Sequence, residues 1–90
     1  MTDIESECVR RIAEAKSIPA DSITLESTLE SLAVDSLDRV SLSFDLEEQY
    51  SVEIPEHQLH TIRTVGDVAT AVQEALARKQ GVAESGAAQP

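Results

Sequence analysis

The 90-residue chain carries seventeen acids against seven Lys and Arg, a formal charge of −10, and 41% of its residues are apolar. That length holds one domain rather than two independent cores, the apolar fraction supports a small core, and the charge argues against nucleic acid or an anionic membrane surface as partner. Phe44 and Tyr50 are the only aromatics, so the core must be aliphatic, and the single cysteine, Cys8, excludes an intrachain disulfide and fits a reducing, cytoplasmic setting.

The first residues, Met1 to Glu5, have neither a basic region nor an apolar run, so no signal peptide is expected, and no stretch reaches transmembrane length. Thr2 and Glu5 have the spacing of a capping box, in which a threonine hydroxyl and a glutamate each satisfy a backbone N–H of the other's residue. Ile4, Cys8, Ile12 and Ala15 follow at helical spacing, widened by Val9, and Pro19 limits the element, which predicts a first helix over about Thr2 to Lys16. From Ser17 to Val34 the aliphatics Ile18, Ile23, Leu25, Leu29 and Leu32 show no clean period among Ser, Thr, Asp and Pro. This reads as a long ordered loop pinned to the core, with a helical turn near Leu29; loops of that length in small domains are often functional.

Asp35 suits an N-cap and Asp38 the first turn, so a second helix is expected from Asp35 to about Tyr50. It carries two apolar stripes: Leu42, Leu46 and Tyr50 on one face, and Leu37, Val40 and Phe44 roughly opposite. One must face the core. The other is either a partner surface or part of one wide buried face. Ser51 to Pro55 reads as a connector, after which Pro55 can open a short third helix with Leu59 and Ile62 turned inward. Thr64 and Asp67 form another Thr-x-x-acid cap ahead of Val65, Val68, Ala69, Val72 and Leu76, and Gly81 marks a natural stop. The expected architecture is all-α: a small four-helix bundle with a long first loop and a short third helix over residues 1–80, then a disordered tail over 81–90.

Ten of the acids fall between Asp21 and Glu56, where Arg39 is the sole basic residue. Such a field serves solubility, and it can equally serve docking of basic partners. Ser36, directly after the expected N-cap, can display its hydroxyl where free helix N–H groups favour an anion such as a phosphodiester. A plain helix-start serine is the commoner case. A hydrolase nucleophile is not indicated, because the glycine elbow and a nearby histidine in sequence are missing. His57 and His60 lack further ligands at metal spacing and read as surface histidines, and Cys8 reads as a small buried hydrophobe.

Asp35-Ser36-Leu37-Asp38, followed by Val40, Leu42, Leu46-Glu47-Glu48, Tyr50 and Val52-Glu53-Ile54-Pro55, resembles the acyl carrier protein family. Thr64-Val65-Gly66-Asp67 is similar to the start of that family's last helix, and the likeness spans about Ile4 to Leu76. The resemblance implies 4′-phosphopantetheine attached covalently to Ser36 by a phosphopantetheinyl transferase, with Asp35 counted at the attachment site. It implies a carrier with no catalysis of its own, working as a monomer. Its acyl cargo, held as a thioester on the terminal thiol of the arm, would be presented to acyl-transferring and condensing enzymes that dock basic patches on the second helix. Leu37, Asp38, Val40, Phe44, Glu47 and Glu48 are then the candidate partner contacts.

Four positions differ from the bacterial fatty-acid carriers the stretch otherwise resembles. Ala33 stands where a glycine is common, Arg39 where a neutral residue is usual, Ser41 where an acid is often found, and Asp45 adds an acid. These differences point to a specialised free-standing carrier in a lipid or polyketide pathway. An aminoacyl or peptidyl carrier and an unmodified helical adaptor are the alternatives.

Overall fold

The computed structural model describes residues 2–88 and the side chains of residues 2–79. Its elements are α1 (Asp3–Lys16), a 3₁₀ turn (Ala20–Ser22), α2 (Ser36–Tyr50), α3 (Glu56–Leu59) and α4 (Val65–Ala88). Among the described residues there is no strand; a lone antiparallel bridge joins Thr28 to Thr64. α1 and α2 both pack on α4, and α3 packs beside α2.

Each long helix starts as its residues dictate. Thr2 Oγ1 accepts the Glu5 N–H at 3.2 Å while Glu5 accepts the Thr2 N–H at 2.7 Å. At α4 the Asp67 N–H donates to Thr64 Oγ1 at 3.1 Å, and the Asp67 carboxylate accepts the N–H groups of Thr64 and Arg63. A cap of this kind contributes about 1 kcal/mol. α1 and α2 end alike, although neither has a glycine. Ser17 and Ser51 adopt the left-handed conformation, and the next residues, Ile18 and Val52, donate back to the Ala13 and Glu47 carbonyls and pack on the core. That pairing of a left-handed residue with a following apolar anchor is a common helix stop. It ends α1 at Lys16, ahead of Pro19, the residue expected to limit it.

The core is aliphatic, as the composition requires: Ile12, Leu29, Leu46, Val65, Val72 and Cys8 are its largest fully buried side chains. On α1 the buried face is Cys8, Val9, Ile12 and Ala13, whereas Ala15, expected in the stripe, is exposed. α1 packs on α4, whose small residues Ala69, Ala71 and Ala75 are buried. The long loop is ordered by its aliphatics: Ile23, Leu29 and Val34 are buried, and Leu29 to Ala33 form a tight turn.

The loop is also tied to the start of α4 by backbone bonds from Leu29 N–H to Arg63 O, Val65 N–H to Ser27 O and Gly66 N–H to Leu25 O, at 2.8–3.0 Å. Gly66 allows this close approach: a Cβ there would lie 3.1 Å from the Leu25 carbonyl oxygen, a backbone atom that would have to give way by a few tenths of an ångström. Pro55 sits one place earlier than expected, as the residue that precedes α3. α4 runs through Gly81 to Ala88, so Gly81 does not stop it. A single glycine weakens a helix by about 1 kcal/mol without forbidding it. Gln89 and Pro90, the end of the expected tail, lie outside the described residues.

Candidate functional site

The first turn of α2 places Ser36. Asp35 is the N-cap: its Oδ1 accepts the Asp38 N–H at 2.9 Å, and Asp38 Oδ2 accepts the Asp35 N–H at 3.3 Å. Ser36 is thereby the first helical residue, and it is exposed. Among the described residues its hydroxyl has no hydrogen-bond partner, and the N–H groups of Ser36 and Leu37 have no acceptor. Free donors at a helix start form an anion-compatible end. Beside Ser36 an open groove of about 400 Å³ is lined by Val34, Val40, Leu59, Glu56 and His60.

The two stripes of α2 part company. Leu46 is fully buried, and Leu42 and Tyr50 are half-buried against the core. Leu37, Val40 and Phe44 are 78%, 56% and 59% exposed, the three large apolar side chains left in solvent among the described residues. The second stripe is therefore not part of one wide buried face.

The acids divide as well. Asp38 is engaged within the chain, with Lys16 Nζ 2.5 Å from its Oδ2. The Lys16 hydrogen bond, followed by the Asp35 N–H, holds the Asp38 carboxyl below the ordinary aspartate range. Glu47 turns inward, its carboxylate accepting the Ile54 N–H at 2.6 Å. Asp45 lies 3.8 Å from the Arg11 guanidinium. Glu48 is exposed and unpaired among the described residues. Leu37, Val40, Phe44 and Glu48 thus follow one face of α2, while Asp38 and Glu47 serve its attachment to α1 and to the connector.

Arg39 is a contributor that sequence reasoning missed. Its Nη1 donates to the carbonyls of Leu59, at 3.3 Å, and Ile62, at 2.5 Å, and staples α2 to the end of α3 and the turn before α4. Its position one turn after Ser36 was legible; its acceptors were not, because backbone carbonyls leave no trace in side-chain spacing. Lys16 is another, reaching Asp38 across α1 and α2.

Cys8 is fully buried, and burial, with the charge of Glu7, pushes its thiol up to about 12. His57 and His60 are exposed. Among the described residues no group of three His, Cys, Asp or Glu is placed to hold a metal, and no helix is long and apolar enough to cross a membrane.

Residues 7–72 match the family model described as a phosphopantetheine attachment site. Acyl carrier proteins of two Clostridium perfringens strains, SM101 and ATCC 13124, are each 44% identical over 64 residues, covering 70% of this chain and 84% of the relative. The crystal structure of an acyl carrier protein from Thermotoga maritima superposes with a TM-score of 0.72 at 22% identity, covering 87% of this chain and 98% of that one; at that identity it speaks for the fold. The span of the family model and the likeness to the Clostridium proteins agree, and the chain belongs to the acyl carrier protein family, whose carriers are built around a phosphopantetheine attachment site.

Proposed function

We propose that Ser36 is the attachment residue. The observation that carries this reading is an exposed hydroxyl with no partner among the described residues, set at the first position of α2 between free N–H groups and an open groove. In the transfer, the Ser36 oxygen bonds to the phosphorus of coenzyme A that carries the pantetheine. One phosphoanhydride bond breaks, adenosine 3′,5′-bisphosphate leaves, and the serine proton goes to a base of the transferase. The free N–H groups of Ser36 and Leu37 suit the charge of the resulting phosphodiester. Asp35 fixes the turn that presents the hydroxyl, and Lys16 offsets the nearby Asp38 charge. When bound, the arm supplies the thiol that holds an acyl group as a thioester.

Leu37, Val40, Phe44 and Glu48 form the docking face for the transferase and for acyl-handling enzymes with basic patches. Its apolar residues are unpartnered, and its free acid is available to Arg or Lys. Exposed ion pairs are individually weak, which suits a carrier that visits several enzymes in turn. Asp38 and Glu47 shape this face from behind rather than forming it. The charge of −10 disfavours self-association, which supports a monomer, and the free thiol of Cys8 fits the cytoplasm. Arg39, Ser41 and Asp45 alter the charge pattern of α2 and favour a specialised lipid or polyketide pathway.

Co-expression with a broad-specificity phosphopantetheinyl transferase should add the mass of one phosphopantetheine, and Ser36→Ala should abolish the gain. A folded protein that gains no mass, or a Ser36→Ala protein that still does, would overturn the assignment.

A further inference from the structure

Two spaces meet at Arg39. Outside lies the open groove beside Ser36. Inside, between α2 and the segment from the connector to the start of α4, lies an apolar crevice lined by Leu29, Leu42, Ile54, Ile62 and Val68, with a volume of about 10 Å³. That is room for about one water. Among the described residues, Arg39 and Leu59 alone border both spaces. Arg39 does not hang free at this boundary. Its guanidinium is fastened to the carbonyls of Leu59 and Ile62, on the wall facing α2.

We propose that Arg39 bars the passage from the Ser36 groove into the bundle, so that this carrier keeps a short or polar acyl group in the outer groove and does not draw in a long alkyl chain. The inference rests on Ser36 being the attachment point. An alkyl chain entering the crevice must part α2 from the wall opposite. That breaks charge-assisted hydrogen bonds, leaves two carbonyls without their donor and presses a guanidinium against hydrocarbon. A short or polar group gains too little from apolar burial to force that exchange, and it remains where water and the polar lining of the groove receive it. A small neutral side chain at position 39 would remove the bar and leave an apolar opening one helical turn from Ser36.

A test that needs no transferase uses Ser36→Cys. Cys8 is buried, its thiol pushed up to about 12, so at neutral pH an alkyl methanethiosulfonate labels position 36 alone. Ethyl and decyl groups are attached in this way with Arg39 present and with Arg39→Ala; Arg39→Met, which keeps the packing of the stem, is the second variant. With Arg39 present, the decyl and ethyl proteins should melt within about 1 °C of each other, and with Arg39 replaced the decyl protein should melt at least about 5 °C higher. The methyl resonances of Leu42, Ile54 and Val68 should then shift with the decyl group only when Arg39 is absent. A decyl group that stabilises the Arg39-containing protein and shifts those methyls overturns the proposal, as does one that leaves both replacement variants unchanged. Failure of phosphopantetheine to attach to Ser36 is read separately, by mass, and does not alter these measurements.

Discussion

Ala33 holds a left-handed backbone, φ 61°, on the exposed turn that delivers the chain to Asp35 and Ser36. A Cβ in that conformation costs on the order of 1 kcal/mol relative to glycine. Ala33→Gly should therefore stabilise the protein by about 1 kcal/mol and raise the melting temperature by roughly 4–8 °C. No change, or a fall, would mean that the loop relaxes around the alanine.

Asp38 carries a pH dependence whose sign is fixed by its partners. Lys16 and the Asp35 N–H hold its carboxyl below the ordinary aspartate value of 3.8. Its stabilising contribution is thus present above that value and is lost as the pH falls through the lower, folded value. Asp38→Asn should lower the urea midpoint at neutral pH, and the gap from wild type should close below pH 3.8. Comparing the two proteins cancels the general relief of repulsion that acid brings to so acidic a chain. A gap that persisted well into acid would assign the effect to packing.

On α2, opposite faces serve opposite purposes. Phe44→Arg should leave the fold intact, because the side chain is 59% exposed, and should slow modification by the transferase on the order of tenfold. Modification at the wild-type rate would remove the stripe from the docking face. The two adjacent glutamates should behave differently. Glu47→Ala should cost about 1 kcal/mol of stability, because it strips the Ile54 N–H of its acceptor. Glu48→Lys should leave stability unchanged and weaken docking mainly at low salt. Thermal melts and transferase kinetics at two ionic strengths separate these outcomes, and matching behaviour of the pair would contradict the division of labour.

At the scale of the whole molecule, Ala75 is the last buried residue among those whose side chains are described, with Leu76 half-buried after it. We propose that the carrier domain is complete by residue 80, so removing residues 81–90 should move the melting temperature by no more than about 2 °C. A larger loss would show that the last turns of α4 contribute to the bundle.

What was legible along the chain was whatever physics acts locally. Caps at Thr2, Asp35 and Thr64, apolar spacing on α1, α2 and α4, and the placing of Ser36 at a helix start all depend on residues within a turn or two of one another. The left-handed stops at Ser17 and Ser51 were hidden because serine, unlike glycine, does not announce a positive φ. Which stripe of α2 faces solvent, and which of its acids are free, depended on what α1, the connector and α4 bring alongside. Lys16 reaches Asp38 from 22 positions away, and Arg39 finds its acceptors on Leu59 and Ile62. Contacts made across the bundle with backbone atoms or distant side chains have no period and no motif, so they exist only once the helices have packed.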